Sequence, residues 1–333
     1  MSLKKIASMV GTSISTVSRV LNNTSPTCAS KELQDKIWAA AREINYQPNE
    51  TARSLQKSTT ITHSIPRISI ILARISALEE DPFFLELFRD LERELLKQKA
   101  TIDHIVYAEE SFRQNLSESD GVIILGRCSN KLLDNIIAHN RNVVGIWRNP
   151  MNFNVDEVVC DGKKAAEIAM KYLFSLGHQR IAYIGDCSFE SRYVGYCDML
   201  IRNNIPIDYE LIKQTTDDEE TAFSELLEKK LSGNTEFTAV FCANDKIAIC
   251  VLKLLKAKKR QLKQSISVIS IDNIEASQNT KPYLTTIQIP RSEMAHMAVT
   301  LLLDRIAKEH REAVRIEFPC RIVERNSCYP CDS

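Results

Sequence analysis

Apolar residues recur at two different periods along the chain, and the change falls near residue 66. Before it, "SLKKIASMVG" carries Leu3, Ile6, Ala7 and Val10 at i, i+3, i+4 and i+7, one face of a short helix. Ser2 is placed to cap this helix and Gly11 to break it. In "SISTVSRVLN", Ile14, Val17, Val20 and Leu21 fall on one arc of a second helix, with Ser13 as its cap. A third stripe, Leu33, Ile37, Ala41 and Ile44, follows Ser30. Three short amphipathic helices in under fifty residues, the first two joined through a glycine, predict a small helix-turn-helix unit.

The other arc of the second helix holds Ser15, Thr16, Ser18, Arg19 and Asn22. A solvated face is one explanation, although such faces usually carry Glu and Lys, which form helices better than Ser and Thr. Short hydroxyls around one arginine also suit close approach to a DNA major groove. There Ser and Thr contact bases or phosphates and Arg grips guanine. In a helix-turn-helix the second helix reads bases with its N-terminal residues. Ile14, Ser15, Thr16, Ser18, Arg19 and Asn22 are therefore candidate DNA contacts.

Pro48 ends the third helix, and "NETARSLQ" is too short to be a stable helix alone. "KSTTITHSIP" is a polar, β-branched tether without a packing signal. From Arg67 the period changes. Apolar runs appear at "RISIILA", "TIDHIVYA", "GVIILG", "NVVGIW", "EVVCD", "RIAYIG", "FTAVFCA", "ISVISID", "TTIQI" and "VRIEF". Between most of them lie amphipathic stretches such as "FFLELFRDLERELLKQ" and "SEMAHMAVTLLLDRIAKE". This alternation predicts parallel sheets covered on both faces. Some ten strands exceed one comfortable sheet, so the expectation is α/β, with two doubly wound parallel-sheet subdomains.

Composition sharpens this picture at few points. A length of 333 residues suits two or three domains. The net charge of zero hides an imbalance: residues 1–60 carry +4 and the remainder −4. A basic small domain on an acidic larger one fits DNA contact confined to the first sixty residues. No apolar run reaches the roughly 18–20 residues that span a bilayer, and no signal-peptide core is present. The expected location is the cytoplasm, with no membrane partner. The ten cysteines are scattered and are expected to be buried thiols. Cys328 and Cys331 form a lone C-x-x-C without the partners that metal or redox use requires.

Enzyme motifs are missing: there is no G-x-G-x-x-G, G-x-S-x-G or H-E-x-x-H. "GVIILGRC" has the outline of a P-loop, but Arg127 and Cys128 replace its Lys and Ser/Thr. No catalytic residue, metal or cofactor is assigned. Ligands in doubly wound sheets bind beyond the carboxyl ends of the strands. Those positions hold Arg127, Trp147, Arg148, Asp186, Asn244, Asp245 and Asp272. Each alone also fits a turn or a helix cap, Asp245 for example as an N-cap. Together they predict one cleft between the subdomains.

The run "LKKIASMVGTSISTVSRVLN" resembles the headpiece of the lactose/galactose repressor family of bacterial transcription regulators. "INYQPNETARSL" is similar to the family's hinge, and "SLGHQRIAYIGD", "FTAVFCANDKIA" and "ISVISIDN" to its core, so the resemblance covers nearly the whole chain. It implies an all-α helix-turn-helix headpiece at 1–46, a hinge helix and linker at 47–60, and an α/β periplasmic-binding-protein-like core at 61–333. The implied N-subdomain takes about 66–158 and 287–318, and the C-subdomain about 159–286 and 319–330. It further implies that the hinge becomes helical on operator DNA, with Leu55 as a minor-groove wedge supported by Asn49, Ala52 and Arg53.

By the same resemblance Asp272 and Arg192, the latter in "RYVGY", bind the effector. A carboxylate and a guanidinium together suit a carbohydrate, whose hydroxyls need acceptors and donors. Phe83, in "DPFFLEL", aligns with the first helix of the cleft, with core packing of Phe83 and Phe84 as the alternative. Phe83, Arg127, Trp147, Arg192, Asn244 and Asp272 form the candidate effector set. Trp147 departs from the family, where many members carry Asp. Either the ligand differs or the indole stacks on a sugar ring. The expectation is a homodimeric repressor on a pseudo-palindromic operator, controlled by a small carbohydrate effector. The competing readings are an exported solute-binding protein and a sugar- or nucleoside-modifying enzyme on the same fold.

Overall fold

The computed structural model describes residues 3–21, 29–44, 65–75, 77–107, 116–149, 151, 154–188, 190–215, 219–262 and 264–331. The chain divides into two units after Ser64.

The first unit contains α1 (Leu3–Val10), α2 (Ile14–Leu21) and α3 (Lys31–Glu43). Its core holds Ile6 and Ala7 from α1, Val17, Val20 and Leu21 from α2, then Ile37, Ala41 and Ile44, all from the expected stripes, together with Ala40; the expected Leu3, Val10 and Leu33 are partly buried against it. Gly11 makes the turn at φ +69°, a left-handed conformation that favours glycine. Ser13 caps α2, its Oγ accepting from Thr16 N at 3.0 Å. Ser30 does the same for Leu33 N at 3.3 Å. One position departs from the expected packing arc. Ile14 is 47% exposed, because it opens α2 one turn ahead of the nearest core residue, Val17. Ser2, Asn22, Pro48, the hinge positions Asn49, Ala52, Arg53 and Leu55, and the tether through Ser64 lie outside the described residues.

The second unit holds two six-stranded sheets. The first comprises β1 (Arg67–Leu72), β2 (Thr101–Tyr107), β3 (Gly121–Leu125), β4 (Val143–Trp147), β5 (Asp156–Val159) and β11 (Arg315–Glu317). Their order is β2-β1-β3-β4-β5-β11. The second comprises β6 (Ile181–Gly185), β7 (Ile212–Gln214), β8 (Ala239–Cys242), β9 (Ser267–Asp272), β10 (Thr285–Gln288) and β12 (Arg321–Val323). Their order is β7-β6-β8-β9-β10-β12. The paired strands run parallel except β10 with β12. Strands β3, β4, β5, β6, β8 and β9 are buried at every residue, as expected of sheets covered on both faces. The sequence pattern accounts for ten strands. β7 and β12 go beyond it: each has three residues and lies at a sheet edge, with none of them fully buried.

Helices α4 (Pro82–Lys97) and α10 (Arg291–Ile306) pack on each other, and α10 also packs on β3, β4 and β5. Helices α6 (Gly162–Ser175) and α7 (Ser191–Arg202) pair on the second sheet, where α9 (Asp245–Lys258) lies along β8 and β9. The chain therefore passes between the sheets three times: from β5 to α6, from β10 to α10, and from β11 to β12. Among the described residues no helix is long and apolar enough to cross a membrane.

Candidate functional site

In both sheets the strand order reverses at the first strand, which leaves a crevice beyond the carboxyl ends. The two crevices face each other around a cavity of about 340 Å³, within the usual range for small-ligand sites. Five of the six candidate effector residues line it: Phe83, Arg127, Trp147, Arg192 and Asn244. The sixth, Asp272, lies behind the wall and is reached through Arg148.

Arg148 follows β4 and crosses the cleft. Its Nη2 lies 3.0 Å from Asp272 Oδ1 and donates to Oδ2 at 3.1 Å. Its guanidinium carbon sits 4.1 Å from the centre of the Phe83 ring, a cation–π arrangement. Phe83 is only 3% exposed and belongs to the main apolar core. It is thus both a core residue and the platform beneath Arg148.

Asp272 ends β9 with φ +123°, a region that costs a non-glycine residue of order 1–3 kcal/mol and is held only by surrounding contacts. Those contacts are visible. Arg291 Nη1 donates to the carbonyls of Asp272 at 3.2 Å and Asn273 at 3.3 Å, while its Nη2 pairs with Glu86 at 2.5 Å. Burial pushes the Asp272 carboxyl up to about 7, against the pull of Arg148. Burial wins because the side chain is almost wholly removed from water while Arg148 offers it a single nitrogen.

Asp245 corrects the sequence reading. The N-cap of α9 is Asn244, whose Oδ1 accepts from Ile247 N at 2.9 Å. Asp245 is the next residue and is fully buried. It accepts from Ser270 Oγ at 2.5 Å, Thr286 Oγ1 at 2.6 Å and Ile274 N at 2.9 Å. Burial raises its carboxyl to about 6 in spite of these donors. It ties β9 and β10 together behind Asp272.

Arg192, at the start of α7, lies on the same subdomain as Asp245 and Asp272. Its Nε donates to Glu190 at 2.9 Å and its Nη1 to the Ala243 carbonyl at 2.6 Å. Burial alone would raise the Glu190 carboxyl, but the adjoining Arg192 holds it down at about 2. Glu190 carries no sequence motif and was missed. Its only trace is an acid two residues before an arginine at a helix start. At the rim, Arg74 after β1 faces Asp186 after β6 at 3.7 Å.

Trp147 is also placed differently from a stacking platform. It is 2% exposed and packs in the apolar cluster on the outer face of the first sheet with Val122, Ile124 and Val143. The ring folds over Gly145, two residues back on the same face of β4. A Cβ at Gly145 would lie 1.9 Å from the indole. Trp147 borders the cavity while its indole packs in this cluster, and the next residue, Arg148, lines the cavity as well. Arg127 is exposed at the mouth.

The headpiece is a separate surface. Ser15 and Arg19 are exposed on α2, and Thr16 and Ser18 half-buried. Ser13 Oγ lies 2.8 Å from both Ser15 Oγ and Thr16 Oγ1, so the hydroxyls at the helix start form one hydrogen-bonded group. The described residues contain no cluster of metal-ligating side chains.

Comparison with known proteins finds counterparts for both units. Residues 2–49 match the model of bacterial regulatory proteins of the lacI family, and residues 170–328 a periplasmic binding protein-like domain. An HTH-type transcriptional repressor PurR of Aliivibrio salmonicida is 27% identical over 341 residues, covering 98% of each chain. A LacI family transcriptional regulator from Enterococcus faecium with bound ribose superposes with a TM-score of 0.69 at 26% identity, covering 80% of this chain and 100% of that one. A complex of the regulator CelR with cellobiose superposes with a TM-score of 0.68 at 22% identity, covering 98% and 99%. With a lacI-family helix-turn-helix domain at its first fifty residues and a periplasmic-binding-protein-like domain of two parallel-sheet subdomains around a cleft, this chain has the make-up of a DNA-binding bacterial transcription regulator.

Proposed function

We propose that this regulator represses transcription as a cytoplasmic homodimer on a pseudo-palindromic operator, and that a carbohydrate bound in the cleft sets its affinity for DNA. The observation that carries the effector reading is a set of buried polar atoms without hydrogen-bond partners. Arg148 Nε and Asn149 Oδ1 come from one subdomain, and Asp272 Oδ1, which Arg148 Nη2 approaches at 3.0 Å without hydrogen-bond geometry, comes from the other. Leaving such atoms unsatisfied costs about 1–3 kcal/mol each. A polyol in the cavity offers partners to Arg148 and Asn149 and bears on Asp272 through Arg148, and so favours one relative placement of the subdomains. Ribose and cellobiose in the two related regulators support the choice of ligand class.

Ile14, Ser15, Thr16, Ser18, Arg19 and Asn22 read the operator, and Leu55, backed by Asn49, Ala52 and Arg53, wedges its minor groove. Binding to DNA weakens with salt as phosphate contacts release counterions. The ligand acts by binding two states unequally, and the reading assigns no turnover to the cleft.

The test is calorimetric titration with ribose, cellobiose and a panel of related sugars, paired with fluorescence anisotropy on operator DNA. A sugar should bind the parent, bind Asp272→Asn at least tenfold more weakly, and shift operator affinity. A sugar that binds parent and variant alike, or leaves DNA affinity unmoved, overturns the effector reading. For the hinge, Leu55→Ala should lose both DNA bending and affinity; retention of both refutes the wedge.

A further inference from the structure

Of the three connections between the subdomains, two run side by side. One leaves β5 at Cys160 and Asp161 to enter α6, and the other runs through residues 318–320 from β11 to β12. Phe318 N donates to Val159 O at 2.8 Å, which continues the parallel register of β11 on β5. Cys160 and Cys320 lie on these two connections, and their thiols hydrogen-bond each other. Cys160 is fully buried and Cys320 half-buried.

We propose that Cys160 and Cys320 form a redox-modification site, which a hydroperoxide converts from a dithiol to a disulfide joining two of the three connections between subdomains. Cys320 is the attacking sulfur. It is the more accessible of the two, and the hydrogen bond from Cys160 holds its thiol below the ordinary value. That same bond, with burial, raises Cys160. Burial also raises Cys128, Cys187, Cys197, Cys242 and Cys328. Since the thiolate is the nucleophile, oxidation starts at Cys320.

The thiolate of Cys320 attacks one peroxide oxygen, the O–O bond breaks, and the leaving alkoxide or hydroxide takes a proton. Cys320 is then a sulfenic acid. The Cys160 sulfur displaces its hydroxyl, which leaves as water with the Cys160 proton. Two electrons have passed from the thiols to the peroxide. The new bond bears on the cleft. Cys160 N donates to Trp147 O at 3.3 Å, and Gly162 N to Arg148 O at 2.8 Å. The connection that carries Cys160 is therefore bonded to the backbone that aims Arg148 at Asp272.

The test uses the reduced full-length chain and hydrogen peroxide alone, followed by alkylation, digestion and mass spectrometry. The expected first product is a peptide pair linked through Cys160 and Cys320, two hydrogens lighter and restored by dithiothreitol. Cys320→Ser should abolish the linked pair. Cys160→Ser should leave a Cys320 sulfenic acid that dimedone captures. Circular dichroism on both serine variants separates loss of chemistry from loss of fold, and the parent measurement needs neither variant. The proposal falls if the linked pair is missing while other cysteines oxidise. It also falls if Cys320 in the parent is modified no faster than Cys331 or Cys187.

Discussion

The headpiece and the cleft handle recognition in opposite ways. On α2 the proposed contacts are short hydroxyl side chains around one arginine, exposed or half-buried, and are aimed by a helix packed on a core of nine buried apolar residues among those described. In the cleft they are long and charged, and are already paired inside the protein: Arg148 with Asp272, and Arg192 with Glu190. A DNA-reading face can be assembled from local sequence because one rigid helix sets every position. The cleft cannot, because its pairs join residues up to 124 positions apart. Its ligand enters by rearranging bonds the protein already makes.

That contrast is open to attack in order of effect. The largest should follow Arg192→Met. It leaves the buried Glu190 carboxylate without its partner, and breaking one side of a buried pair costs about 3–5 kcal/mol. Urea unfolding of the core should show that loss, whereas operator contacts on α2 should be unaffected at temperatures where the core stays folded. An equal drop for an exposed pair such as Lys36 with Glu32 would erase the distinction. Next comes Arg19→Ala, which should cost about 1–3 kcal/mol of operator affinity without moving the melting temperature of the core. A shift in core stability would mean the two units are not energetically separate.

The smallest effect is in pH. Asp272 at about 7 and Asp245 at about 6 both titrate above their ordinary value. Between the ordinary value of 3.8 and these raised values the folded core holds more protons than the unfolded chain, so stability falls as pH rises. The melting temperature of the core should therefore decline by a few degrees from pH 5 to pH 7.5, and Asp272→Asn should flatten much of that slope. Glu190, held at about 2, acts the other way and only below about pH 4.5. A headpiece with no comparable buried carboxylate among its described residues should show no such slope.

Legibility in the sequence follows the same division. The three headpiece stripes, the caps Ser13 and Ser30, and ten of the strands were readable because each is a local period or a local hydrogen bond. The strand ends pointed to the cleft because a parallel sheet puts every carboxyl end on one side. What escaped was pairing. "GIWRNP" drew attention to Trp147, yet its neighbour Arg148 makes the bond across the cleft. Asp245 looked like a cap, and only the fold brings Ser270 and Thr286 onto it. Glu190 had no motif, since its role is to hold Arg192 rather than to repeat a pattern.

The indole folded over Gly145 also restricts how this lineage can change. Any side chain at 145 would collide with the ring, so tryptophan in this position at 147 requires glycine at 145. A side chain at 145 is accommodated only once 147 is smaller or its ring is moved. Positions 145 and 147 should therefore drift together among close descendants, and a library that varies either one alone will miss most of the folded combinations.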